Sequence, residues 1–250
     1  MKTNRLVWTA SMFLVFFLVS CVANIEMRKK QEEASRNLGE VYMQQGDFSS
    51  ALRELLKAEK LYSKDPYLQN DLGLAYRAKD RLDLAIKHFK KAVKIKPDYA
   101  PARNNMGTAY LAKKEWDVAI VCFKEIVDDV LYSTPHYPLT NMGWAFYNKQ
   151  EYKLAEKYYR DALELEPNFI IALLGLGRTY IAMESTADAV AILEKAVKNY
   201  PRFAESYFYL AKAYSLSREY KKAISAYNKV VELAPESTLA REAQKNANLL

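Results

Sequence analysis

A chain of 250 residues, 50% hydrophobic and 27% charged, has enough apolar surface for one or two packed domains and too much of it for a disordered segment. Its 7 Gly and 8 Pro supply too few turns for a sandwich or barrel of many short strands, so an all-α chain is expected, and two His with two Cys cannot build a zinc site unless carboxylates join them. The formal charge of +7 is spread among near-equal numbers of acids and bases, which reads as solvated helix faces and not as a nucleic-acid footprint.

In chain order, residues 1–20 come first and are set apart from the fold. Lys2 and Arg5 precede an apolar run, Leu6 to Val19, interrupted only by Thr9 and Ser11. The run falls short of the roughly 20 residues that span a membrane and suits a signal peptide. Leu18-Val19-Ser20-Cys21 follows, and this resembles the lipobox of bacterial lipoproteins, which implies a diacylglycerol thioether on Cys21. The alternative is a buried cysteine ending an uncleaved anchor helix. Loss of residues 1–20 removes two bases and no acid, and lipidation of Cys21 would leave Cys122 as the remaining thiol, read as a small buried apolar residue. Residues 21–31 are expected to be a lipidated N-terminus and short tether, reaching about 30 Å from Asn24 to Gln31 if fully extended.

From residue 32 onward a repeat governs the chain. Gly39, Gly73, Gly107, Gly143, Gly177 and Ala211 are spaced by 34, 34, 36, 34 and 34. Three residues after each comes an aromatic (Tyr42, Tyr76, Tyr110, Phe146, Tyr180, Tyr214), and twelve after each comes Ala51, Ala85, Ala119, Ala155, Ala189 or Ala223. The pattern resembles the tetratricopeptide repeat. Six helix-turn-helix units are expected over about 32–65, 66–99, 100–135, 136–169, 170–203 and 204–237, with a capping helix over 238–250, stacked as a superhelical solenoid. Within the second unit the periodicity predicts helix A over Tyr67–Lys79 and helix B over Asp83–Ile95, with the small residue between Leu and Tyr letting helix B approach. Ser237 is the expected cap of the last helix, and Arg241, Glu242, Gln244 and Lys245 its solvent face.

The interval of 36 marks two inserted residues near Asp129-Val130-Leu131-Tyr132 and Pro135-His136-Tyr137-Pro138: a tolerated loop, or a change of pitch that sets aromatics at a groove edge. Groove-lining positions are expected two residues before, one after and four after each small residue. The first set is Asn37, Asp71, Asn105, Asn141, Gly175 and Tyr209, whose amides could satisfy the backbone of an extended peptide. The others add Thr108, Trp144 and Arg178, then Arg77, Leu111, Tyr147 and Ile181. Trp144 lies outside the repeat's core positions, one helical turn from Tyr147 and after Tyr137, and aromatics with Arg are common interface anchors.

A lipobox, a short tether and six such units resemble the type IV pilus biogenesis lipoproteins of the PilF, PilW and Tgl type. Asn104-Asn105-Met106-Gly107, Asp129-Val130-Leu131-Tyr132 and Asn141-Met142-Gly143 carry the more specific likeness. The resemblance implies a secretin pilotin: a lipid-anchored protein of the outer membrane, facing the periplasm, that binds a secretin subunit of the type IV pilus machinery and promotes its assembly, with no cofactor and no catalysis. Val22 after Cys21 is compatible with outer-membrane sorting. The competing reading is a periplasmic scaffold recruiting cell-wall hydrolases or other envelope enzymes. No Walker loop, G-x-S-x-G or H-E-x-x-H occurs, His88 reads as a helix-surface residue, and His136 has no acid partner at catalytic spacing.

Overall fold

A computed structural model describes residues 24–127 and 134–250. Among these residues every regular element is an α-helix. Helix α1 covers 24–44. It is followed by α2 (Phe48–Leu61), α3 (Pro66–Ala78), α4 (Leu82–Ile95), α5 (Ala100–Ala112), α6 (Trp116–Val127), α7 (His136–Asn148), α8 (Tyr152–Leu165), α9 (Ile170–Ala182), α10 (Thr186–Asn199), α11 (Ala204–Leu216), α12 (Tyr220–Leu233) and α13 (Thr238–Ala247). The expected helices of the second unit appear within a residue of their predicted ends. The signature Asp129-Val130-Leu131-Tyr132 and the lipobox with Cys21 lie outside the described residues.

The described residues fall into two compact units, one ending at Ala109 and the other running from Tyr110 to Leu250. In the first, α2 and α3 bury Leu55, Ala58, Leu68, Leu72 and Ala75 in one cluster, and α3 packs along α4. In the second, the hairpins α7–α8, α9–α10 and α11–α12 each pack internally, and each second helix packs on the first helix of the next hairpin. This is a solenoid-like stacking of helical hairpins within each unit. The last cluster joins Phe208 and Ala211 to Tyr227 and Val230 and is closed by Ala243 and Ala247 of α13. Ser237 caps α13 as expected, its Oγ accepting from the Ala240 amide at 3.0 Å. The helix stops at Ala247 and does not run on to Leu250.

The repeated small residue has the packing role its position suggests. A Cβ built on Gly39 would stand 2.7 Å from Leu55, one on Gly177 2.6 Å from Leu193, and one on Gly73 would enter the Phe89 ring. Gly143 and Gly175 both press on the ring of Tyr159. Gly175 is therefore a helix-contact residue and lines no groove.

Seven residues after each small position the backbone turns left-handed, at Gly46, Asp80, Lys114, Gln150, Glu184 and Arg218, with φ between 56° and 77°. The next amide then bonds back to the carbonyl of the repeat's aromatic: Arg81 to Tyr76 at 2.9 Å, Glu151 to Phe146 at 2.9 Å and Glu219 to Tyr214 at 2.9 Å. This is the Schellman closure of each first helix, and it satisfies carbonyls that a helix end otherwise leaves unpaired.

The segment 24–31, expected as a tether, is the opening of α1. At 1.5 Å per residue it spans about 12 Å, well under the extended limit. Arg28 bonds the Lys60 carbonyl at 3.2 Å, and the Lys29 ammonium lies 5.2 Å from the Tyr62 ring centre, fixing this turn against the end of α2.

Candidate functional site: the faces of the first helices

In the second unit, α7, α9 and α11 lie side by side and bring together residues at the lining positions. Trp144 and Tyr147, one turn apart on α7, stack with planes 13° apart and centroids 6.0 Å apart. The Arg178 guanidinium of α9 stands 4.7 Å from the Trp144 centroid, 5.1 Å from Tyr147 and 5.1 Å from Tyr209 of α11. Lys212, one turn on, lies over Phe208 at 4.5 Å and Tyr209 at 5.8 Å, and pairs with Glu242 of α13 at 3.5 Å. Cation–π contact suits this arrangement, because an aromatic face is the negative pole of the ring quadrupole. Arg178 is half-buried, and a guanidinium that stacks on rings through its face keeps its N–H donors in the plane, where an incoming acceptor can meet them. Burial raises the Tyr209 phenol above its ordinary range, keeping it a neutral donor.

The first unit carries a different surface. Arg77 of α3 donates to the Thr108 hydroxyl of α5 at 2.6 Å, and burial lowers its pKa. Thr108 in turn donates to the Asn105 carbonyl at 2.8 Å. The Asn105 amide donates to Asn70 at 2.9 Å, so this rung of the expected peptide ladder is already engaged within the protein. Asn104 is half-buried, with its side-chain oxygen enclosed and without a partner. Nearby, Arg36 of α1 pairs with Asp65 at 2.8 Å, Glu40 at 3.3 Å and Asp71 at 3.9 Å. Burial and the neighbouring Asp65 push the Glu32 carboxyl up to about 7, and burial with Glu40 does the same to Asp71.

Of the residues singled out in the sequence, Trp144, Tyr147 and Arg178 meet in one cluster, while Asn141 lies half-buried one turn earlier. Arg77, Thr108 and Asn105 form a second, hydrogen-bonded group. Tyr137 is exposed and packs on His136 and on Phe169 before α9, so its ring neighbours are not Trp144 and Tyr147. Tyr209 and Lys212 complete the aromatic cluster. Lys212 follows Ala211 as Arg178 follows Gly177, and that register was the signal for it. His88 corrects the surface reading: it is buried, its Nδ1 is 2.8 Å from Gln69 Oε1, and it stacks on Tyr76. Burial pulls its pKa down to about 4 despite Glu59 nearby. Cys122, at the same register one unit later, is buried as well. Among the described residues no group of three or more His, Cys, Asp or Glu side chains is arranged to hold a metal, and no helix is long and apolar enough to cross a membrane.

Comparison with known proteins adds the following. The crystal structure of PilW, a widely conserved type IV pilus biogenesis factor, superposes with a TM-score of 0.79 at 22% identity, over 85% of this chain and 98% of that one. The structure of pilF from Pseudomonas aeruginosa superposes with a TM-score of 0.74 at 20% identity, over 88% and 99%. YrrB, a repeat protein with an unusual peptide-binding site, gives 0.57 at 19% identity, over 76% and 97%. At these identities the likeness is one of fold. Serine/threonine-protein phosphatase T of Trypanosoma brucei brucei (strain 927/4 GUTat10.1) is 29% identical over 103 residues, 41% of this chain, and the chain spans only 22% of that protein. The tetratricopeptide repeat pattern matches residues 36–100 and 174–238, and a second pattern of the same description matches 137–169. With more than half of its length so matched, the chain belongs to the tetratricopeptide repeat family.

Proposed function

We propose that this protein is a membrane-anchored periplasmic lipoprotein that binds a protein partner through its repeats, and that the partner is the secretin subunit of a type IV pilus machine, whose outer-membrane delivery and assembly it promotes. The observation that carries this reading is the extent and closeness of the superposition: it takes in 98% of PilW and 99% of pilF at TM-scores of 0.79 and 0.74, against 0.57 for YrrB at similar coverage. The lipobox at Cys21 supports the anchor, and the Arg178 cluster supplies a surface for an extended segment of the partner. No reaction is assigned to it.

The test separates anchoring from recognition. Two or three acyl chains on Cys21, at about 0.8 kcal/mol per buried CH₂, hold a protein on a membrane essentially permanently. A Cys21→Ser variant exported by a non-lipoprotein signal is expected to be soluble and to bind secretin in vitro, while outer-membrane secretin multimers, surface pili and twitching motility fall. Normal multimers with the soluble variant would refute delivery by a lipid carrier. Normal multimers in the complete absence of the protein would favour the scaffold for cell-wall hydrolases.

A further inference from the structure

One helix face breaks the repeat's own burial rule. The residue before the small position is buried at Leu72, Met142, Leu176 and Leu210 and half-buried at Met106, but its counterpart on α1, Leu38, is 43% exposed. Two residues after the small position, Ala75, Ala109, Ala145, Thr179 and Ala213 are all buried, whereas Val41 is 45% exposed. Later units cover these positions with the preceding helix, as α2 covers Leu72 and Ala75. On α1, Met27 (59% exposed), Ala34, Leu38 and Val41 fall within about 60° of one another on the helical wheel and make an apolar stripe about 21 Å long. Exposed Lys30 flanks the stripe, while Glu26, Glu33 and Glu40 are turned about 90–130° from its centre.

We propose that this stripe of α1 docks on the phospholipid surface, with Met27, Leu38 and Val41 at the headgroup–acyl boundary. This rests on the anchoring of Cys21 proposed above. Only three residue steps separate Cys21 from Asn24, a reach of about 10 Å, and α1 is already helical there, so acyl chains on Cys21 hold the start of the stripe at the headgroups. Lys30 is long enough to reach lipid phosphate while its stem lies along the apolar surface. The stripe alone is a weak binder, but the anchor makes its docking an intramolecular event at high effective concentration. The lipid then fixes the orientation of the first unit and does more than tether it.

The experiment couples the mature chain through the Cys21 thiol to a maleimide lipid in phosphatidylethanolamine–phosphatidylglycerol vesicles with brominated acyl chains. Cys122 is buried on α6 and is replaced by Ala as a precaution. L38W and V41W variants are compared with K94W, placed on exposed α4 surface. The expected result is quenching and a blue shift for L38W and V41W but not for K94W, with V41W quenching reduced to the K94W level when Leu38→Glu is added. Equal emission from L38W and K94W on vesicles would overturn the proposal. So would a lipid-free dimer in analytical ultracentrifugation with L38W already blue-shifted, since a second copy would then cover the stripe. The mass of the Cys21 peptide from native membranes tests the anchor separately: an unmodified thiol defeats the lipoprotein reading, while the synthetic tether still reports whether the stripe meets lipid.

Discussion

His88 shows how far a single side chain can depart from what its type suggests. Its neighbours are Gln69, Tyr76, Glu59, Lys87 and Lys91, and burial outweighs the one carboxylate, so the folded imidazole stays neutral to about pH 4. The unfolded chain takes up that proton near 6.5, so between these values acid favours unfolding, by up to about 3 kcal/mol. Glu32 and Asp71 act in the opposite sense: their folded values of about 7 exceed those of the unfolded chain, so their contribution is present at low pH and lost as pH rises towards 7. Because two raised carboxyls outweigh one depressed imidazole, urea titrations should find the native protein losing stability as pH rises from 5.0 to 7.5. A His88→Cys variant should be less stable at 7.5 and gain more on acidification than the parent, and an unchanged pH slope would show that His88 is not held neutral. The aromatic cluster can be tested at the same scale. Trp144→Ala and Arg178→Ala should each weaken partner binding by about 1–4 kcal/mol with stability changed by less than about 1 kcal/mol. Because the two side chains touch, the double variant should lose less than the sum in calorimetric titrations.

At the level of helices, the sequence was most legible where a packing constraint recurs. Glycine opposite a bulky residue of the second helix could be read from spacing alone, since any larger side chain at that contact forces the hairpin apart. Gly73→Ala should therefore cost about 1–3 kcal/mol through displacement of Phe89, measured as a lowered denaturation midpoint with unchanged helicity. The polar outer face of α13 was legible for the same reason, because an end helix has only one side to bury. Less legible were interactions that depend on which polar groups meet across helices. Asn105 was a candidate for peptide contact, but Asn70 stands one unit earlier and takes its hydrogen bond. The opening of α1 was missed because Asn24-Ile25-Glu26-Met27 has no cap or period to distinguish a charged tether from a helix held by Arg28 and Lys29.

For the molecule as a whole, repeat number and the all-helical fold followed from one period, whereas the partner did not, because the repeats share a core and differ in the surfaces they present. The residues of the Arg178 cluster share register positions with many others, and only their aromatic and basic character set them apart. The left-handed turns bear on the protein's margin of stability. Among the six, only Gly46 is glycine, so Asp80, Lys114, Gln150, Glu184 and Arg218 hold a conformation that costs an L-residue roughly 1–2 kcal/mol, partly offset by glycine's greater freedom when unfolded. Glycine at any one of the five should add about 0.5–1 kcal/mol in chemical denaturation, and since the turns belong to separate hairpins the gains should add to about 3–5 kcal/mol. The natural chain thus leaves a reserve of stability unused at the same point of successive repeats, and it can be recovered without touching a buried side chain or the residues around Arg178.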